Sequence, residues 1–551
     1  MIPDLNLSRA SRARFFSILI TGTVLLLVSN LTVSCTWGPG GRARFEPDTL
    51  RMNLGNEPPS LDWHTTTDST SFDVISNIMN GLTQMDAEMK IVPALASSWE
   101  IEEDGKRYVF HLRDDIFWSD GKPVTAMDFV FAWRRLQDPD TGASYATFLY
   151  DIENAYEINT GRIKDLNALG VEAIDQKTFA VRLKQPAAYF LSLTSTCPTF
   201  PLREDVLVEH GSKWTDPRFI VTNGPYRLHK WQHEYKIELH SNPDYFEGEP
   251  RVKVVKMFMV PEQSTAFALF ENDELDYVDN RSFSTSDVER YLKSPRYRNL
   301  PLLRSSYIAF NVTKKPFDKK LVRRAFAMAV DRSVFPRILR REETPLYGWI
   351  PPGLIGYSEN IGLSFDAKKA KALLAQAGYP GGKGLPKVEL LYPNREDARL
   401  VVEAIQDQLK KNLGVRVELV NQEWKVYLAR RKKDPPPLFR GAWGADFPDP
   451  ESFMNIFTSG SGNNHTRWSS TRYDALLNKA RAEQDEAVRA SLYQSANRLL
   501  CEREVPIIPL YLATQNILTK PWVEGITFNA LDIQIFKNAV IKDPAGKDGA
   551  I

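Results

Sequence analysis

Residues 111–136 read HLRDDIFWSDGKPVTAMDFVFAWRRL. Their first part continues the alternating run YVFHLR (108–113), a strand, and Arg113-Asp114-Asp115 then makes a tight turn into a second short strand. Ser119-Asp120-Gly121-Lys122-Pro123 is a further turn. Thr125 follows as the cap of a helix over 125–136: its hydroxyl can accept a free N–H of the first turn, and Asp128 complements the positive end of the helix dipole. Phe129, Val130, Ala132, Trp133 and Leu136 recur at helical spacing and form one apolar stripe. The block is a rigid strand-turn-helix unit whose aromatics read as core, and it holds no catalyst.

Outward from it the same two periods alternate. Strands are expected at 178–183, 235–240, 388–393 and 415–420, with a first one starting in RMNLG near residue 50. Helices are expected at 318–331, 366–377, 396–412, 472–483 and 486–500, with Asp318 and Asp366 as N-caps and Gly378-Tyr379-Pro380 as a helix stop. Mixed α/β architecture follows, without internal repeats. The chain has 551 residues, more than one core usually organises, so two or three lobes are expected. Hydrophobic residues at 43% and charged residues at 25% exclude a disordered chain. Lys+Arg (70) nearly balance Asp+Glu (69), so no overall field favours nucleic acid and any charge selectivity is local.

Arg9, Arg12 and Arg14 precede an uncharged run from Phe15 to Val33 that ends in LTVSC at Cys35. This is the layout of a signal peptide. Its end resembles the lipobox of bacterial lipoproteins, with Thr32 where Leu is favoured and Leu31 one place earlier, which implies lipidation of Cys35 and an extracytoplasmic protein tied to the membrane. A retained membrane anchor is the other reading of the same run. Residues 36–49, rich in Gly and Arg, suit a tether. Only Cys197 and Cys501 remain, too few for a disulfide framework, and they read either as buried small hydrophobes or as a pair.

The opening block resembles the signature of the peptide/nickel class, family 5, of extracytoplasmic solute-binding proteins that serve ABC importers. VTNGPYRLHKW (221–231), IAFNVTKKPFDKKLVRRAFAMAVDR (308–332), NLGVRVELVNQEWK (412–425), GAWGADFPDPESF (441–453), VPIIPLY (505–511) and KPW (520–522) resemble the same family in the same order. Within it, NQEWK and RGAWGADF are most similar to oligopeptide-binding lipoproteins. The resemblance implies an α/β periplasmic-binding-protein (Venus-flytrap) fold with two main lobes, an inserted extra domain, and a ligand cleft between the lobes. Domain I would comprise 50–80, 205–303 and 513–551, domain II 81–204, and domain III 304–512. The implied function is to bind oligopeptides in extended form, by main-chain pairing and terminal charges, and to deliver them to a membrane permease with its ATPases. The protein is expected to act as a monomer, without cofactor or metal.

Asp446 matches the family position whose carboxylate pairs with the peptide amino group, and the pairing is chemically apt because a buried ammonium needs a counter-charge. Arg440 and Arg431 match positions that meet the ligand carboxylate, where a guanidinium fork fits. On residue type alone, Asp446 reads as a surface or capping residue, and only the surrounding motif favours the ligand; YLARRKKDPPPLFR (427–440) has the rival reading of a solvated basic loop. Trp424 and Trp443 match pocket aromatics and Tyr145 a tyrosine reaching in from domain II; core packing is the rival reading. Where the family has a carboxylate-binding His this chain has Ala398, beside Arg399, and the family's basic residue near 337–341 falls among Arg337, Arg340 and Arg341.

Other classes find less support. A dipeptide, a nickel chelate or another small solute would suit the same fold. A secreted peptide hydrolase lacks its motifs: no H-E-x-x-H or G-x-S-x-G occurs, and GYPGGKG (378–384) lacks the spacing of a phosphate loop. His229 and His233 have helical ligand spacing but lie in YRLHKWQHEYKIEL, which reads as strand, so no metal pair is expected there.

Overall fold

The structure, a computed structural model, describes residues 46–543 apart from Ala188 and Gln484. Cys35 and most of the 36–49 tether lie outside the described residues.

Three main sheets carry the fold. The first runs Thr49–Asn53, Val254–Phe258, Lys236–Ser241, Tyr226–Gln232 in space, with only the outermost pair parallel. The second runs Tyr277–Val278, Ile507–Thr519, Tyr297–Phe310, Leu438–Gly444, Val388–Pro393, Val417–Gln422. The third is antiparallel and orders Ala96–Glu102, Arg107–Leu112, Thr178–Arg182, Val171–Ala173. Most expected strands are present within two residues of their predicted limits, because short runs of strand-forming residues bounded by turn signals fix them locally.

In the block 111–136 the first strand and the helix form as read, but the expected second short strand is only an isolated bridge between Phe117 and Pro123. Thr125 and Asp128 make a reciprocal capping box on the helix Ala126–Gln137, and Phe129, Val130, Ala132, Trp133 and Leu136 are all buried. Trp133 packs edge-on against Phe179 at 5.1 Å and donates its indole N–H to the Thr199 carbonyl at 2.8 Å. Asp366 caps the helix Ala367–Gln376 by accepting the Lys369 N–H at 2.8 Å, and Gly378 follows at φ 95°, a left-handed backbone that suits glycine. Asp318 is a correction. The helix there spans Lys320–Met328 with Lys319 at its cap and no side-chain capping bond.

Two long strands, Tyr297–Phe310 and Ile507–Thr519, pair with register shifts between Pro301 and Ser305 and between Ser306 and Tyr307. The expected domain junctions at 303/304 and 512/513 fall inside these strands. Cys197 and Cys501 are both free and buried, which leaves the small-hydrophobe reading and removes the pair.

One glycine in the quoted motifs has a definite packing reason. A Cβ on Gly224 would lie 2.4 Å from the carbonyl carbon of Ile78 and 2.5 Å from the amide nitrogen of Met79, backbone atoms that cannot rotate away. The Gly224 N–H donates to the Ile78 carbonyl at 2.9 Å across this contact. Gly224→Ala should therefore destabilise the fold by about 3 kcal/mol, read as a lower urea midpoint.

Candidate functional site

A cavity of ≈ 630 Å³ is lined by strand residues of the second sheet, among them Ser306, Arg440 and Tyr511, and by residues of connecting segments from Asn56 to Asn538. Asp446, Arg440, Arg431, Trp443, Trp424 and Tyr145 all line it.

The wall is built by two elements. In Leu438–Gly444, Arg440, Ala442 and Gly444 alternate onto the cavity while Phe439 turns into the core. In the helix Trp424–Lys433, Trp424, Tyr427, Leu428 and Arg431 line the cavity at spacings of three and four. Glu423 starts this helix by accepting the N–H groups of Lys425 at 2.9 Å and Val426 at 3.2 Å. The basic stretch from 427 is therefore helical up to Lys433, with Arg431 inward and Lys432 and Lys433 exposed, and is not a solvated loop.

Asp446 follows the strand. Its N–H donates to the Ser452 hydroxyl at 2.8 Å, and the Ser452 carbonyl accepts the Trp443 indole N–H at 2.8 Å, so one residue of the short helix Pro450–Met454 fixes both. The Tyr145 hydroxyl donates to Oδ1 of Asp446 at 3.1 Å. Oδ2 is buried and has no hydrogen-bond partner among the described residues. Burial, opposed only by the Tyr145 bond, pushes the Asp446 carboxyl up to about 7. Tyr145 itself is raised well above the phenol range by burial and by Asp446, so at neutral pH it remains a donor.

Arg440 is buried, donates to the Tyr511 hydroxyl at 2.9 Å and lies 4.0 Å from Asp397. Arg431 donates to the Tyr427 hydroxyl at 3.2 Å, with its guanidinium 5.4 Å from that ring. The Tyr427 hydroxyl in turn donates to the Arg440 carbonyl, which ties the helix to the strand. Trp424 stacks on Tyr427 at 5.6 Å, and Trp443 lies 6.2 Å from Tyr145. The Nε groups of Arg431 and Arg440, the Trp424 indole N–H, the Ser306 hydroxyl and the Gln515 amide oxygen are buried on this wall without hydrogen-bond partners among the described residues. Buried polar groups are ordinarily paired, so these atoms are left to bond water or a polar guest in the cavity.

Sequence reasoning missed several lining charges. Arg341 is the buried member of its trio and lines the cavity, whereas Arg337 and Arg340 are exposed. Ala398 is buried in the helix Glu396–Leu413, and Arg399 is exposed, 3.7 Å from Glu403, so it does not stand in for the missing His. Arg395 and Asp397, paired at 3.0 Å, line the cavity instead. Burial favours a neutral Asp397, but Arg395, Arg440 and Arg341 outweigh it and hold the carboxyl far below its usual range. Arg281 contacts both Asp73 and Asp279 on another part of the lining. Burial raises both carboxyls; Arg281 and Gln534 win at Asp279, whereas Asp73 is left pushed up to about 7. Arg395–Asp397 and Arg281–Asp279 are two residues apart, but the contacts of Arg281 with Asp73 and of Arg440 with Asp397 join distant parts of the chain, which no short motif announces.

A ligand ammonium would bind the ionised form of Asp446, release its proton, and pull its pKa down. Affinity for a free-amine ligand should therefore rise with pH through about 7 and fall about tenfold per unit well below it, until the ligand's own amino group titrates near 8. Titration calorimetry from pH 5.5 to 7.5 checks the sign, and Asp446→Asn should flatten the profile.

Comparison with known proteins comes to the same architecture. Residues 90–465 match the family model described as bacterial extracellular solute-binding proteins, family 5 Middle. The chain is 33% identical over 535 residues to a probable deoxycholate-binding periplasmic protein, YgiS, of Escherichia coli (strain K12), covering 95% of this chain and 99% of that protein. The murein tripeptide binding protein MppA of Escherichia coli superposes with a TM-score of 0.86 at 31% identity, over 91% of this chain and 99% of that one. OppA of Haemophilus influenzae in complex with RPPGFSPFR gives 0.85 at 31% identity, over 91% and 100%. MppA in its unliganded open form gives only 0.61 at 30% identity, over 92% and 99%, so the lobes here differ from that open arrangement.

Proposed function

From a chain that belongs to family 5 of the bacterial extracellular solute-binding proteins, we propose an oligopeptide-binding component of an ABC importer. It encloses short peptides in extended form and presents them to a membrane permease and its ATPases.

The observation that carries this reading is the free oxygen of Asp446 on a cavity wall that also bears Arg440, Arg431 and Arg341. A zwitterionic peptide supplies a charge for each side. Asp446 stands six residues beyond Arg440, just past the end of the strand at Gly444, which separates the two by a distance on the order of 15 Å, about four or five residues of an extended peptide. Main-chain hydrogen bonds would give affinity, and the Trp424 and Trp443 surfaces would accept varied side chains. Closure would flex the paired strands Tyr297–Phe310 and Ile507–Thr519, whose irregular register makes them the natural hinge between domain I (50–80, 205–303, 513–551) and domain III (304–512), with domain II (81–204) contributing Tyr145.

We extend the proposal to the amino terminus: residues before Cys35 are removed, Cys35 carries a lipid, and the monomer works at the outer face of the membrane. The Arg-flanked apolar run and LTVSC support it. Among the described residues no helix is long and apolar enough to cross a membrane.

Native mass spectrometry of the purified protein, followed by denaturing release, tests the ligand. Peptides of narrow length range and varied sequence are expected, intact. A bound solute lacking an amino group, such as a bile acid, would sink the peptide reading, and released cleavage products would favour a hydrolase.

A further inference from the structure

His229, set aside as half of a helical metal pair with His233, acquires different partners in three dimensions. It lies in the strand Tyr226–Gln232, where the register against Lys236–Ser241 shifts between Leu228 and Lys230. Leu228 opposes Leu239 toward the core and Lys230 opposes Glu238 outward, so His229 is the extra residue of a β-bulge. Its side chain is exposed, on the same side as Lys230. Bulges re-aim side chains in this way and recur beside functional sites. The neighbouring strand places Glu238 and His240 two residues apart on that outward face, while Ile237 and Leu239 are buried.

The result is a compact donor set. The ring of His229 stacks on that of His240 with centroids 3.7 Å apart, and His240 Nε2 lies 3.1 Å from the Glu238 carboxylate. One ligand atom from each of the three lies within 4.8 Å of the others. A tetrahedral ion with bonds of about 2.0–2.1 Å needs donors about 3.3 Å apart, a difference that side-chain rotation at partly exposed positions can supply. His233 is not part of the set; its Nδ1 lies 2.5 Å from Glu57. None of the three donors lines the peptide cavity.

We propose that His229, Glu238 and His240 bind a late first-row divalent metal ion on the outer face of this sheet. Two imidazoles and a carboxylate match the ligand preference of Zn²⁺ and Cu²⁺ and leave a coordination position open to water. Lys236, which donates to the other oxygen of Glu238 at 3.1 Å, keeps that side chain aligned toward His240 and takes no place in the donor set.

The test uses the full chain, purified without a polyhistidine tag, stripped with chelator and titrated with ZnCl₂ by calorimetry. One saturable site in the micromolar range is expected. His229→Ala and His240→Ala should each weaken it at least tenfold, because each removes a bonded ligand. His233→Ala and Asp446→Asn should leave it unchanged. Absence of a saturable site below about 1 mM in the parent protein, or unaltered affinity in both His229→Ala and His240→Ala, overturns the proposal, since any zinc bound would then sit elsewhere, the peptide cavity included. Peptide binding is measured separately, so failure here leaves the peptide assignment standing.

Discussion

Replacing Asp446 by Asn should abolish tight capture of free-amine peptides, weakening them on the order of a hundredfold, or about 3 kcal/mol. Asn fills the same space and can still accept from Tyr145, so the fold is kept and the charge alone is removed. Tyr145 holds one oxygen of the present carboxylate, and among the described residues the other has no hydrogen-bond partner and no cation lies within ion-pair distance. A bound ammonium would supply that missing counter-charge; against a neutral amide it would stay buried and incompletely paired, which costs several kcal/mol. Amino-acetylated peptides carry no ammonium and should lose less than about threefold. Calorimetry on matched free and blocked peptides reads the contrast. Equal losses for both would remove Asp446 from ligand contact.

The second large effect lies behind the site. Arg481 pairs with Glu451 at 2.5 Å, both nearly enclosed, and Glu451 also accepts the Tyr493 hydroxyl at 3.0 Å. Burial pushes the Glu451 carboxyl up despite Arg481, so the pair is costly to bury in absolute terms. Breaking it is worse. Arg481→Met should destabilise the protein by about 3–5 kcal/mol, because an uncompensated carboxylate remains inside. Adding Glu451→Gln, which keeps an acceptor for Tyr493, should recover much of that loss, a non-additivity that urea denaturation of the single and double variants measures. Glu451 adjoins Ser452, which holds both Asp446 and Trp443, so Arg481→Met should also weaken peptide binding. A double variant no more stable than Arg481→Met alone would show that the buried charge is not the cause.

The Asp446 experiment could be designed from GAWGADF and its resemblance alone. The Arg481 experiment could not, since Arg481 and Glu451 lie thirty residues apart on different helices and neither local sequence signals the other. The same division runs through the site. Trp424 and Arg431 stand at i and i+7 of a helix whose start signal, Glu423, is local, yet the run of cations and the three prolines after it disguised the helix as a loop. Arg341 could not be told from Arg337 and Arg340, because burial of one arginine among three is decided by the strands it packs against.

By itself the sequence determined the alternation of strands and helices, the caps at Thr125 and Asp366, the helix stop at Gly378 and the family to which the motifs belong. These depend on hydrogen-bond geometry and side-chain period within a few residues, information that a short window contains. The tertiary structure decided which charges share the cavity, that Asp446 keeps an oxygen free, that Asp318 caps nothing, and that His229 meets His240 and Glu238 and not His233. Those outcomes depend on desolvation and on contacts closed across hundreds of residues, and both exist only once the chain has folded around them.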